Sequence, residues 1–143
     1  MQEDSGDPER QQQKLMDWVA ELKESPIAMH TEAANAQHYE VPAAFFQAIL
    51  GPHLKYSGCL WSEDVGDLGT AEEAMLELVC GRARLGDDQD VLELGCGWGS
   101  FSLYAAARHP GSRFVGVSNS ASQKAFIDAE AKRRGLANLE ILT

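Results

Sequence analysis

The chain is poor in cysteine, in positive charge and in long apolar runs, and each shortage removes a class of function. Its three cysteines, Cys59, Cys80 and Cys96, are odd in number and have no paired spacing. Neither a disulfide framework nor a zinc-ligand set is encoded, so no metal site is expected and reduced thiols point to the cytoplasm. Twelve Lys and Arg stand against 22 Asp and Glu, a formal net charge of −10. That balance argues against nucleic acid or an anionic membrane surface as the main partner, and reads instead as a solubilising surface. No apolar stretch approaches the roughly 20 residues of a membrane span, so no transmembrane segment is expected. No charged-then-apolar leader is expected from the opening residues. What remains is 143 residues, 44% of them hydrophobic, enough to bury the core of one domain.

Patterning along the chain separates helices from strands. Residues 1–9 are polar and acidic and read as disordered. From Pro8 a helix is predicted, with Leu15, Trp18, Val19 and Leu22 on one face and a stop at Ser25-Pro26. A second helical piece is predicted over Ile27 to Ala36. A short buried helix follows over Ala43 to Leu50, with Pro42 in its first turn. The stretch His53 to Leu68 has scattered aromatics and no period, and reads as a loop carrying function. Thr70 and Glu73 form a capping-box pattern for a helix through about Ala83. The order is then strand (Asp90 to Leu94), helix (Gly99 to Arg108), strand (Arg113 to Val117), helix (Ala121 to Arg134, closed by Gly135) and strand (Asn138 to Leu142). Right-handed crossovers place the three strands in parallel, in the order third, second, first. A division into residues 1–69 and 70–143 is expected, the first a helical lid segment and the second a cofactor-binding half-domain.

The most informative residues are Val91-Leu92-Glu93-Leu94-Gly95-Cys96-Gly97-Trp98-Gly99-Ser100. An apolar run enters a glycine-dense loop that opens a helix, the profile of a strand whose loop offers backbone N–H groups to a ligand. Glu93 stands at the carboxyl end of the strand, where open α/β sheets hold ligands. A carboxylate there wants a cation such as a ligand ammonium rather than a phosphate. A nicotinamide dinucleotide remains an alternative, because Gly95, Gly97 and Ser100 come near its fingerprint. That fingerprint also expects an acid after the next strand, whereas Val117 is followed by Ser118-Asn119. The plainest alternative is a loop that serves only as a tight corner, although three alternating glycines exceed what a corner needs.

Four separated motifs extend this reading. They are Gln37-His38-Tyr39-Glu40-Val41-Pro42, Leu50-Gly51-Pro52-His53-Leu54-Lys55-Tyr56-Ser57-Gly58-Cys59-Leu60-Trp61, the glycine loop, and Gly116-Val117-Ser118-Asn119-Ser120-Ala121-Ser122-Gln123-Lys124. In this register the chain resembles, from about Ile27 to Leu142, class I methyltransferases of the cyclopropane-fatty-acid synthase and coclaurine N-methyltransferase group. The resemblance implies a Rossmann-like α/β sheet, of which the first three parallel strands are present, preceded by an N-terminal helical lid. It implies S-adenosyl-L-methionine as cofactor, a donor with an ammonium, a carboxylate and a sulfonium but no phosphate. Tyr56 and Ser57 would reach the cofactor from the lid, and Gly95, Cys96 and Gly97 would pass under its methionine part. Ser118, Asn119 and Gln123 would hold the adenosine side, which accounts for the missing acid, since amides offer both donors and acceptors. Tyr39, Tyr56 and Trp61 are candidates to face the sulfonium, which aromatic rings favour. For Cys96 the backbone N–H is the expected contact, because nothing marks its thiol as activated.

Methyl transfer from a sulfonium asks the protein to align the reacting atoms and exclude water, and an amine acceptor must also be unprotonated. In the resembled family the acid–base residues come from later strands, so no catalytic residue is named. That family's sheet has seven strands with the first at its centre. The chain is therefore expected to be the N-terminal part of a longer enzyme, with Val91 to Leu94 an unpaired edge and a complementary C-terminal half as partner. The acceptor is expected to be a small soluble amine. The alternatives are methylene transfer to an unsaturated lipid or a non-catalytic cofactor-binding remnant.

Overall fold

Caps and strand composition set the local structure. The computed structural model describes residues 7–29, 33 and 41–143, in two units, Met1–Ala33 and Ala34–Thr143. In the first unit, helix α1 spans Pro8–Glu24. Asp7 caps it by accepting the N–H groups of Glu9 and Arg10 at 3.1 and 3.3 Å, and Pro8 gives up an N–H that would have no helical partner. Ser25, extended before Pro26, ends it, as the residue before a proline prefers. Asp7 is thus the cap, and Pro8 and Glu9 open the helix; residues 1–6 lie outside the described set. Leu15, Trp18 and Leu22 are half-exposed and α1 buries none of its residues. The second helix expected over Ile27 to Ala36 falls mostly outside the described residues; of those described, 27–29 are not helical and Ala33 is.

The second unit contains α2 (Ala43–Ile49), α3 (Leu68–Ala83), β1 (Asp90–Leu94), α4 (Ser100–Arg108), β2 (Arg113–Val117), α5 (Ala121–Arg134) and β3 (Leu139–Leu142). Pro42 stands at the N-cap of α2 rather than inside it. Only Phe46 of that helix is buried, so the expectation of a buried helix is corrected to a single anchored side chain. Helix α3 begins before Thr70, because Asp67 accepts both the Thr70 N–H (2.9 Å) and its hydroxyl (2.8 Å). Glu73, expected to close a capping box, instead meets Arg108 of α4 at 2.5 Å. A carboxylate ahead of the first turn suits the helix dipole, and the cap moves there.

The three strands are parallel in the order β1-β2-β3, with Glu93 opposite Gly116 and Val115 opposite Glu140. Leu76 and Cys80 of α3 pack with Tyr104, Ala105 and Ala106 of α4 and with Phe114 of β2. Leu103, Ile127, Ala131, Ile141 and Cys96 form a second apolar cluster, joining α4 and α5 to the sheet. Each large apolar side chain so buried stabilises by about 1.5–3 kcal/mol. Strand β1 has one neighbour among the described strands, and Leu92 and Leu94 are 62% and 76% exposed. Among the described residues no helix is long and apolar enough to cross a membrane, and the three cysteines are free thiols.

Candidate functional site

A cleft of about 330 Å³ opens at the carboxyl ends of β1 and β2. Tyr56, Ser57, Glu93, Gly95, Cys96, Gly97, Ser118, Asn119 and Gln123 all line it. Tyr39 lies outside the described residues. Trp61, a further candidate, is exposed and takes no part in the lining.

The glycine loop is tied to the neighbouring strand before it turns. The N–H groups of Gly95 and Cys96 both donate to the Val117 carbonyl, at 2.9 and 3.0 Å. This corrects the expectation that the Cys96 N–H contacts a ligand, because the end of β2 already holds it. Further along, the N–H groups of Gly97 and Trp98 donate to no carbonyl among the described residues, and both residues line the cleft. Gly97 has φ +53°, and a Cβ there would enter open space. Gly99, with φ +77°, is required for a second reason as well: a Cβ would stand 2.7 Å from Ile127 of α5. Ser100 adds a buried hydroxyl with no partner among the described residues. The loop is a cradle with uncommitted donors, which a tight corner alone would not need.

Glu93 is half-buried beside this cradle and accepts the hydroxyl of Ser102. Burial raises its carboxyl above the ordinary range, while the Ser102 hydrogen bond and the charge of Lys55 pull it back. The Lys55 ammonium donates to Ser57 Oγ at 2.5 Å. Burial, then Glu93, pushes the Cys96 thiol up to about 11. Cys96 packs with Leu103, Ile127 and Ile141, and a thiol so raised is little ionised at neutral pH.

Buried Glu72 positions the segment that brings Leu54 and Lys55 to the cleft wall. Its carboxylate accepts the N–H groups of Gly51 (3.0 Å), His53 (2.8 Å) and Lys55 (3.0 Å), and it is 0% exposed. His53 itself stacks edge-on against Tyr104, 5.5 Å between ring centres, away from the cleft. An aromatic chain crosses the wall: Tyr56 meets Phe46 edge-on at 5.5 Å, Phe46 meets Trp98 at 5.1 Å, and Trp98 meets Phe126 at 5.5 Å. Phe46, Lys55 and Trp98 also line the cleft and were not assigned to it by sequence. At its far end the buried Ser118 hydroxyl donates to Gln123 Oε1 at 2.8 Å. The carbonyl end of that amide is therefore committed, and its NH2 end remains for a ligand.

The family described as mycolic acid cyclopropane synthetase matches residues 28–142. The chain belongs to this family. Its relatives include the (S)-coclaurine N-methyltransferase of Thalictrum flavum subsp. glaucum, 42% identical over 94% of this chain and 37% of the relative. Among solved structures, a coclaurine N-methyltransferase bound to N-methylheliamine and SAH is 38% identical. It superposes with a TM-score of 0.87 over 96% of this chain and 40% of that one. The cyclopropane synthase MmaA2 of Mycobacterium tuberculosis is 26% identical, with a TM-score of 0.71 over 82% of this chain and 41% of that one. The chain thus spans about two fifths of the length of these relatives. Family membership settles the fold as the Rossmann-like sheet of these methyltransferase neighbours, with β1, β2 and β3 as its described strands.

Proposed function

We propose that this chain is the cofactor-binding portion of an S-adenosylmethionine-dependent methyltransferase acting on an amine nitrogen of a small molecule. One observation carries the reading: among the described residues Glu93 is the only acid lining the cleft, and it stands beside donors at Gly97, Trp98 and Ser100 that no described residue engages. A dinucleotide pyrophosphate beside that carboxylate would be repelled, whereas an ammonium would be attracted. No acid follows β2, where a dinucleotide site places one. When bound, the cofactor supplies a methyl group on a positively charged sulfur. Glu93 would hold its ammonium, and the glycine loop would run against its methionine part. Gln123 would donate through its NH2 group on the adenosine side, with Asn119 beside it. Tyr56 and Phe46 would exclude water and offer ring faces to a positive charge. By the resemblance, Tyr39 would also contact the cofactor.

The amine acceptor is supported by the identity to N-methyltransferases, 42% over nearly the whole chain. The family's description and the likeness to MmaA2 support a second reading, methylene transfer to an unsaturated lipid. A strand-bearing complementary segment is the partner that the single-neighbour edge of β1 supports, and three free thiols suit the cytoplasm. Incubating the full-length protein with S-adenosylmethionine labelled in its methyl group tests the reading. Label should pass to small secondary or tertiary amines. Transfer only to unsaturated phospholipid vesicles would establish the second reading, and transfer to neither would remove both.

A further inference from the structure

Lys55 is the only cation lining the cleft among the described residues, just as Glu93 is its only acid. The buried carboxylate of Glu72 fixes the backbone of Lys55 through a 3.0 Å hydrogen bond, so the side chain starts from a held position. Its ammonium reaches the Ser57 hydroxyl at 2.5 Å and pairs with no carboxylate among the described residues. A half-buried lysine with no acid partner gives up hydration without a full countercharge, which a ligand anion would restore. The cleft therefore presents one positive and one negative side chain, the complement of an amino acid's carboxylate and ammonium.

We infer that Lys55, together with the Ser57 hydroxyl, recognises the α-carboxylate of the cofactor's amino-acid end, while Glu93 takes the ammonium. This rests on the cofactor reading above and adds a specificity-determining residue to it. A lysine is suited to the role, because its charge-assisted hydrogen bonds to a carboxylate are roughly twice as strong as neutral ones. The competing role is that of a plain counterion to Glu93, which lies within the field of Lys55. The two roles differ in what they do to ligands. A counterion acts on every ligand alike, whereas a carboxylate receptor discriminates.

Calorimetric titration of the full-length protein with S-adenosylhomocysteine and with its decarboxylated analogue separates them. The wild type should prefer the carboxylated ligand by about 10- to 100-fold, as expected for one hydrogen bond to a charged group. Lys55→Met should reduce that preference to within about threefold by weakening only the carboxylated ligand, and Lys55→Arg should keep most of it. The ratio is taken within each variant, so a general loss of folding or affinity does not imitate the effect. An unchanged ratio in Lys55→Met would overturn the role of Lys55 and leave the cofactor reading intact, as would a wild type that does not discriminate. Failure of the wild type to bind either ligand would remove the cofactor reading and this inference with it.

Discussion

Two glycines in one loop are required for different physical reasons, and their substitutions separate accordingly. Gly97 has positive φ with open space beyond it, so Gly97→Ala costs about 1–2 kcal/mol for the left-handed backbone and places a methyl in the cleft. Its cofactor affinity should fall more than tenfold in calorimetry while the fold persists. Gly99→Ala drives its Cβ into Ile127, adding overpacking to strain, so about 2–5 kcal/mol of stability should be lost in urea unfolding. Glu93 sets a pH dependence of definite sign. Its folded pKa is raised, chiefly by burial. Its stability contribution is therefore complete below the ordinary carboxylate range and is lost as pH rises through the raised value. Thermal melts from pH 4 to 8 should show Glu93→Gln removing that loss, leaving the variant at least as stable as wild type at neutral pH. The same variant should bind the cofactor more weakly, because the ammonium loses its countercharge. A variant that melts lower and binds equally well would contradict both statements.

Helix α3 is an anchor for the segment Gly51 to Lys55 as much as part of the core. Its buried Glu72 holds three N–H groups of the segment from Gly51 to Lys55. Glu72→Ala leaves those donors without partners, at about 1–3 kcal/mol for each one that stays buried. The amides of residues 51–57 should lose hydrogen-exchange protection well before those of β2. Equal exchange in variant and wild type would show that the segment is held by other contacts. This anchoring was not legible in the sequence. The pattern Thr70-x-x-Glu73 satisfies a capping template, but Asp67 sits three residues earlier and Glu73 has Arg108 to meet, and only the packing of α3 on α4 decides between them. The glycine loop, the parallel order of the strands and nine of the candidate cleft residues were legible. Each is written in local periodicity, in positive-φ residues or in the resembled motifs. Phe46, Lys55 and Trp98 were not assigned to the cleft, although Lys55 and Trp98 lie within those motifs, because a lone aromatic or a lone lysine has no period and its place depends on elements distant in sequence. The Cys96 N–H shows the converse: its place in the loop was right, yet the carbonyl of Val117 had claimed it.

At the scale of the molecule, β1 is the weak point of the described sheet. It pairs on one side only, and Leu92 and Leu94 stand exposed beside a groove that also includes Val79, Leu85 and Val91. An apolar strand with unpaired backbone recruits another chain. Expressed alone, the 143-residue polypeptide should associate with itself despite its charge of −10, and Leu92→Lys with Leu94→Lys should shift it toward monomer in sedimentation. A monodisperse monomer at high concentration would show the edge to be benign. The central claim concerns the other face of the same strand tip, where Glu93 and the glycine cradle are proposed to select a cationic donor without phosphate. Crystals of the full-length protein soaked separately with S-adenosylmethionine and with NAD test it most directly. The account predicts S-adenosylmethionine beside Gly95 and Gly97 with its ammonium against Glu93, and no NAD. A cleft that rejects S-adenosylmethionine and admits NAD, its pyrophosphate along the loop, would contradict it.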